Sequence, residues 1–574
     1  MKSVWFWASA LIVLAPAFIA LSPDLPLIGA PQHGYGWIVY LLPLIPILRF
    51  PERRKRHALY ALGLLVQILA FPEPDLGFLG FFLLVPYLIA REQPDGAPWW
   101  RAAFFYGFFR AFVGYYWLGN ILYTHWLFVS VLSALTFACV FEGILRKATF
   151  LPYALRAATA WAAFEWFHSW VGGGLPWLFL AHTQHRFLAF IQIADVVGTY
   201  AVSFLLAFLQ AAALQAWARR RFRALAVAGT LCVASLVYGF ARRVDQEPTG
   251  AGVLLVQTSV PLLLKVQEDF DFEEMLRDTV RLTRQGLESH PDAGLVVWPE
   301  TMHPYAYVET GESARFGKTV RRYARIFGRS AIYGVNTYGS LERYTSRRGH
   351  NSAVLVGPEG GIGKIYRKRR LVPLGEHFLP RVIFPEKWCD GWIQWLMEHG
   401  YPANADLEEG EGFEVFDGGE GLRAAPLICF EGLYPDLTRE AVAGGDPPPD
   451  FLLVLANFGW FQASWLQAQA RAIWVFRAIE TRTPFLVSAN GGISCAVGPS
   501  GAVSGAVKGV MTEGFLYVPL VSRGPLPPYV RGGYALLPVG LIVAAALFLV
   551  RSYRRRRGVP DRGKDPLDSI GAFC

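Results

Sequence analysis

The chain has 574 residues, 53% of them hydrophobic and only 17% charged, with a formal net charge of +9. A soluble protein carries about 25% charged residues, and the apolar residues here crowd into 1–241 and 534–551, so the composition describes a membrane protein with one soluble domain between its spans. Nucleic-acid binding is excluded by where the arginines lie. They cluster beside apolar spans, in RFPERRKRH (49–57), ARRRFRA (218–224) and RSYRRRRG (551–558), as on cytoplasmic flanks of transmembrane helices.

A helix needs about 20 apolar residues to cross a bilayer, with a range of roughly 17–25. In chain order the candidate spans are 3–21, 35–49, 57–71, 77–90, 102–119, 127–145, 153–170, 195–217, 224–241 and 534–551. The first has the lysine-then-apolar pattern of a signal peptide, but no clean small-x-small cleavage site follows, which favours an uncleaved helix. The basic clusters then share one side. The soluble stretch 242–533 falls on the other, which in a bacterial inner membrane is the periplasm. Within 153–170, Glu165 is an acid inside a span, and such groups face a protein interior or a cavity; a structural and a binding role stand level.

The soluble stretch alternates strand-like runs with helical ones. Strands are expected at 252–260, 294–300, 330–338, 351–360, 423–432, 450–459, 484–492 and 493–501, each ending at a turn signal. Amphipathic periodicity predicts helices over 267–288, 312–327 and 462–482. Interleaved strands and helices imply helices layered on sheets. Of the six cysteines, Cys139 and Cys232 fall in apolar spans and Cys574 is the last residue, leaving Cys389, Cys429 and Cys495 in the soluble stretch. No spacing suits zinc and no disulfide framework is implied.

Three polar side chains stand at or near strand ends: Glu300 closes LVVWPE, Lys368 lies in GKIYRKRRLVPLGE, and Cys429 closes APLIC. A carboxylate can take the proton of a thiol, since the thiolate is the nucleophile, and an ammonium can steady the thiolate and a developing oxyanion. The backbone N–H of Phe430 would complete the oxyanion site. Each residue taken singly has a plainer explanation. A cysteine in an apolar strand is usually a small buried hydrophobe, Glu300 after Pro299 suits a helix start, and Lys368 is one base in a solvated run.

Taken together, WPET (298–301), NS (351–352), YRKRRLVPLGE (366–376), ICFEG (428–432), NFGWF (457–461), RAIETR (477–482), SANGGISCAVGPSG (488–501) and WAAFEWFHSWVGGGLPWL (161–178) resemble the nitrilase superfamily. More narrowly, from about residue 57 to the C-terminus they resemble its membrane-integrated branch, the apolipoprotein N-acyltransferases. The resemblance implies a multi-pass α-helical bundle plus a nitrilase-like αββα four-layer sandwich. It divides the chain into two extra N-terminal helices (1–56), a helix bundle (57–241), a periplasmic catalytic domain (242–533), a C-terminal span (534–551) and a basic cytoplasmic tail (552–574). It also implies Glu300 as general base, Lys368 as oxyanion stabiliser and Cys429 as nucleophile, with Glu376, Glu431 and Trp460 as accessory residues. Two departures stand out: Phe430 replaces a common tyrosine, and Phe458 stands where an acid is frequent.

The implied reaction moves the sn-1 acyl chain of a phospholipid, typically phosphatidylethanolamine, onto Cys429 as a thioester. From there it passes to the α-amine of a diacylglyceryl-cysteine on an apolipoprotein, with no metal or organic cofactor and a monomeric enzyme. Trp388, Trp392 and Trp395 recur on one helix face in 381–401, suiting a lid at the bilayer interface or a helix packed on the domain. A membrane-anchored amidase using the same trio and a non-catalytic lipid-binding protein are the alternatives.

Overall fold

Residues apolar on every side belong among other helices or in lipid, and the first half of the chain folds accordingly. The computed structural model describes residues 54–93, 98–121, 123–242, 247–260, 271–309, 314–340, 349–373, 375–376, 407–419 and 421–533. Spans 3–21, 35–49 and 534–551, and Trp388, Trp392 and Trp395, lie outside them. The main helices of the bundle are Arg54–Ala70, Trp99–Gly114, Tyr123–Thr136, Tyr153–His168, Ala194–Arg219 and Arg223–Ala241. The helix Tyr123–Thr136 runs on through a π turn to Lys147. Among the described residues, His125–Lys147, Ala194–Arg219 and Arg223–Ala241 are long and apolar enough to cross a membrane.

The expected span 77–90 is not one continuous helix. It forms a 3-10 turn, Gly77–Phe81, and a short helix, Val85–Ala90, with proline at its start. Gly80 accounts for part of the break, since a Cβ there would lie 2.1 Å from Thr183 Oγ1. The segment pressing on it folds back from the end of Tyr153–His168. Glu165 holds that segment: one carboxylate oxygen accepts from Leu180 N and from Trp161 Nε1, each at 2.6 Å. Of its two open roles, Glu165 fills the structural one.

The second half forms two sheets. Its strands are β1 (Pro248–Gln257), β2 (Leu295–Val297), β3 (Tyr307–Val308), β4 (Ser330–Tyr338), β5 (His350–Val356), β6 (Ile362–Arg367), β7 (Phe416–Asp417), β8 (Arg423–Ile428), β9 (Phe451–Asn457), β10 (Phe485–Asn490), β11 (Cys495–Val497), β12 (Val503–Ala506) and β13 (Gly514–Val521). One sheet has the order β13-β1-β2-β4-β5-β6, with β3 beside β4, and the other β12-β11-β10-β9-β8-β7. Strands β1, β2 and β4 are parallel, as are β8, β9 and β10.

Side chains alternate across a strand, and that alternation builds the layers. Leu254, Val256, Val296, Tyr333 and Val335 pack with Leu276, Leu282, Phe316 and Val320 of the helices Phe272–Ser289 and Ala314–Phe327. Their neighbours Val253, Leu255, Leu295, Val297 and Ile332 join the core shared with the second sheet. The helices Pro435–Ala443 and Leu466–Thr481 cover that sheet's far face. The result is a nitrilase-like αββα sandwich seated on a helical bundle.

Leu466–Thr481 is buried at every position but Arg471, because its outer side packs on Ala194–Arg219. Charge fixes the seam. Arg482 and Asp195, both wholly buried, meet at 2.7 Å, and Arg482 also donates to Gln192 Oε1 at 2.6 Å. Gly198, at φ +74°, breaks its helix. Beyond the break, Thr199 N donates to Glu480 Oε1 at 2.7 Å and Thr199 Oγ1 accepts from Arg477 at 2.6 Å. The RAIETR motif therefore clamps the domain to the bundle.

Candidate active site

The direction of the strands brings the three candidates together. Glu300 follows parallel β2, and Cys429 follows parallel β8. Lys368 follows β6, which runs the same way as β4 because β5 opposes both. Crevices outside the carboxyl ends of such strands are where α/β folds hold ligands. Strand β8 is buried nearly throughout. It ends abruptly at Cys429, whose φ of +54° is the left-handed region that a side chain seldom occupies. One 3-10 turn, Cys429–Leu433, follows. Gly432 lets that turn sit down, because a Cβ there would come within 2.5 Å of Val454 Cγ2.

Glu431 secures the turn. Its Oε2 accepts from Ile428 N at 2.8 Å and Tyr366 Oη at 2.9 Å, and its Oε1 from Arg369 N at 2.7 Å and Arg370 N at 3.0 Å. One wholly buried carboxylate thus ties the cysteine turn to the loop that carries Lys368. Burial pushes the Glu431 carboxyl up, and the donors led by Ile428 N–H oppose it.

Lys368 is fully buried, with Nζ 2.8 Å from Glu376 and 3.4 Å from Glu300 Oε1. Asn351 Nδ2 bridges the two acids, donating to Glu300 Oε1 at 2.6 Å and to Glu376 Oε1 at 3.1 Å. Glu376 is itself held by Val372 N at 2.9 Å. The Cys429 thiol lies near enough to Glu300 and Lys368 for their charges to act on it, and the Asn457 backbone N–H favours its ionised form. Burial raises Glu300 above the usual carboxylate range, with the Lys368 ammonium pulling against it. Burial would lower Lys368, but the Glu376 and Glu300 carboxylates outweigh it and hold the lysine charged. Burial, then the Glu300 charge, pushes the Cys429 thiol well up. A proton can pass from the thiol to the Glu300 carboxylate without changing the net charge of the pocket.

Beside this group an apolar cleft opens between sandwich and bundle. Leu118, Val129, Leu132 and Leu175 of the bundle face Phe430 and Phe461 of the sandwich across it. The Phe430 ring lies 6.1 Å from that of Trp177 and 5.9 Å from that of Phe461, so an apolar ring lines the cleft where a tyrosine is common. Trp460 is half-buried against the core, and its neighbour Phe461 forms the cleft wall instead. Phe458 is buried and stacks on Trp474 at 6.0 Å, a core position with no place for a charge. Among the described residues no cluster of histidine, cysteine and acid side chains is arranged to hold a metal.

The motifs NS (351–352), YRKRRLVPLGE (366–376) and NFGWF (457–461) contain Asn351, Tyr366 and Asn457, but the sequence alone assigns none of the three a task. Asn351 had a readable signal, an amide on a strand that must end beside two acids. Tyr366 and Asn457 had none, since a tyrosine in a strand and an asparagine at a strand end are ordinary.

Two family models match the chain: the apolipoprotein N-acyltransferase N-terminal domain over residues 62–212 and carbon-nitrogen hydrolase over residues 255–523. Among curated relatives, the apolipoprotein N-acyltransferase of Geobacter metallireducens is 27% identical over 490 residues, covering 80% of this chain and 89% of its own. That of Chlorobaculum tepidum is 27% identical over 469 residues, covering 75% and 84%. Among solved structures, an amidase from Nesterenkonia sp. is 19% identical, covers 51% of this chain and 97% of its own, and gives a TM-score of 0.35.

Proposed function

The chain belongs to the apolipoprotein N-acyltransferase family, the membrane-integrated branch of the carbon-nitrogen hydrolases, and from that premise we propose that it carries a phospholipid acyl chain on Cys429 to a lipoprotein amine. The observation that supports this most directly is the convergence of Cys429 at the end of β8 with Glu300 and the buried Lys368 ammonium, 3.4 Å apart, beside an apolar cleft. In the first half-reaction Glu300 takes the thiol proton and Sγ attacks the sn-1 ester carbonyl of the donor, phosphatidylethanolamine in this reading. The oxyanion faces Lys368 Nζ and the Phe430 N–H, one of the early helical N–H groups that lack an intrahelical partner.

The C–O bond then breaks, Glu300 returns its proton to the departing glycerol oxygen, and a lysophospholipid leaves a thioester behind. In the second half-reaction the α-amine of a diacylglyceryl-cysteine attacks the thioester carbonyl and the C–S bond breaks. The proton lost by the amine passes through Glu300 back to the thiolate. Two easier steps replace one ester-to-amide transfer. The arginine-rich flanks favour a bacterial inner-membrane setting with the sandwich on the periplasmic side.

Intact-mass spectrometry of the purified protein given phospholipid alone tests the first half-reaction. An acyl mass on Cys429 that disappears in C429S is the expected result. A folded protein that acquires no acyl mass refutes it.

A further inference from the structure

Two residues beyond the buried lysine, the chain places a second cation in quite different surroundings. The Arg370 guanidinium lies 4.3 Å from the centre of the Tyr434 ring and 5.3 Å from that of Trp170, with its side chain 23% exposed. Its backbone N–H is spent on Glu431, at 3.0 Å, and Nη2 donates to Asp436 Oδ2, also at 3.0 Å. Tyr434 is fixed in turn by donating to Gly174 O at 2.7 Å. Among the described residues Asp436 is the only acid paired with Arg370, and it occupies one nitrogen of a group with five donors. Rings and acid together hold the fork in one orientation, and among the described residues nothing else takes its remaining donors.

Arg370 also stands between two cavities. It lines the apolar cleft described above, and it lines a neighbouring pocket with Ser169, Trp170, Leu371 and Glu409. Just past the end of the apolar helix Tyr153–His168, Trp170 is 47% exposed, and exposed tryptophans of this kind are enriched at the level of lipid headgroups. A charged fork at that level, with an apolar cleft on one side and a smaller pocket edged by Ser169 and Glu409 on the other, matches the order of parts in a phospholipid.

We propose that Arg370 is the specificity-determining residue that binds the phosphodiester of the acyl donor, with the acyl chain in the apolar cleft and the polar headgroup in the pocket beside Glu409. The proposal rests on the phospholipid-donor reading above. Guanidinium is suited to this task because its planar fork meets phosphate oxygens in pairs and is weakly hydrated beside aromatic faces. Asp436 acts as an orienting partner. The same chemistry would also hold free phosphate, so the test must separate the two.

The experiment compares acyl-enzyme formation from phosphatidylethanolamine and from a diacylglycerol with the same chains, which offers the same ester without the phosphate. In R370Q the ratio of kcat/KM for phospholipid over diacylglycerol is expected to fall about tenfold to a hundredfold, the range for losing a charge-assisted hydrogen bond, with the change carried by KM. R370K, which keeps the charge but not the fork, is expected to recover part of the ratio. An unchanged ratio in R370Q, or in R370K should R370Q fail to fold, overturns the assignment. Inorganic phosphate that binds the parent but not R370Q without slowing acylation by phospholipid would make this a free-phosphate site and overturn the lipid part. A parent protein acylated by neither lipid would instead refute the donor reading itself, and the assignment with it.

Discussion

Glu431→Gln removes one charge and almost no volume from the joint between the cysteine turn and the lysine loop. The parent carboxylate accepts four hydrogen bonds, from Ile428 N, Tyr366 Oη, Arg369 N and Arg370 N. The glutamine keeps one oxygen, which can serve either pair. With that oxygen toward the two arginine amides, its NH2 faces Ile428 N–H and Tyr366. The tyrosine hydroxyl can rotate to accept, but Ile428 N–H is left buried against another donor. An orphaned buried donor costs about 1–3 kcal/mol, and the two bonds that survive lose the extra strength of a charged acceptor, about 1 kcal/mol each. The total is about 3–5 kcal/mol, borne at the contact that sets Lys368 against Cys429. Were all of it expressed in the transition state, acylation would slow by about 100- to 1000-fold or more at 1.4 kcal/mol per tenfold. Rapid-quench mass spectrometry of the acyl-enzyme in lipid nanodiscs measures that rate, with the thermal midpoint recorded alongside. E431Q acylating within threefold of the parent would refute the view that this carboxylate positions the site.

Because burial lifts Glu300 above the usual carboxylate range, the base is lost on acidification earlier than an exposed glutamate would be. The acid limb of the acylation profile should therefore lie above the ordinary glutamate value of about 4.3. A limb at or below that value would contradict the burial argument. Gly334 presses on the backbone of the base: a Cβ there would meet Pro299 O at 2.2 Å and Glu300 Cα at 2.7 Å. G334A is expected to cut acylation by about tenfold or more through displacement of Glu300, and parent-like kinetics would dismiss that contact. D195N leaves the buried Arg482 charge without its acid and should cost about 3–5 kcal/mol. It would appear as a lower midpoint of thermal inactivation, and an unchanged midpoint would show that the seam is not held by this pair.

What could be read from sequence follows from how local each signal is. Long apolar runs and strands closed by turn residues declare themselves within a dozen positions, so β4, β8, β9 and β10 lie within a few residues of where patterning put them. Strand β13 escaped because Pro519 interrupts it and much of it is half-buried, which is how an edge strand reads. Strand β6 was hidden by the charges of GKIYRKRR. Five of its six residues turn partly or largely to solvent, all but Tyr366, before the chain dives to Lys368. The trio itself needed three distant strand ends to be considered jointly. Glu431 was recognised only by position, since nothing in FEG announces that two loops will converge on one carboxylate. Asp195, in the first turn of an apolar helix, gives no hint that a basic residue 287 positions later will meet it.

The helix Leu466–Thr481 belongs to two structures at once, as the outermost layer of the sandwich and as one wall of the bundle. Swinging the sandwich relative to the bundle would have to break the packing of that layer on one side or the other. Among the described residues, motion is easier in small loops and side chains, which would leave Cys429 at a constant height above the bundle. It also couples the histories of the two halves. A substitution on the sheet-facing side of that helix shifts the side that grips the membrane helices, so each half constrains which sequences the other can explore.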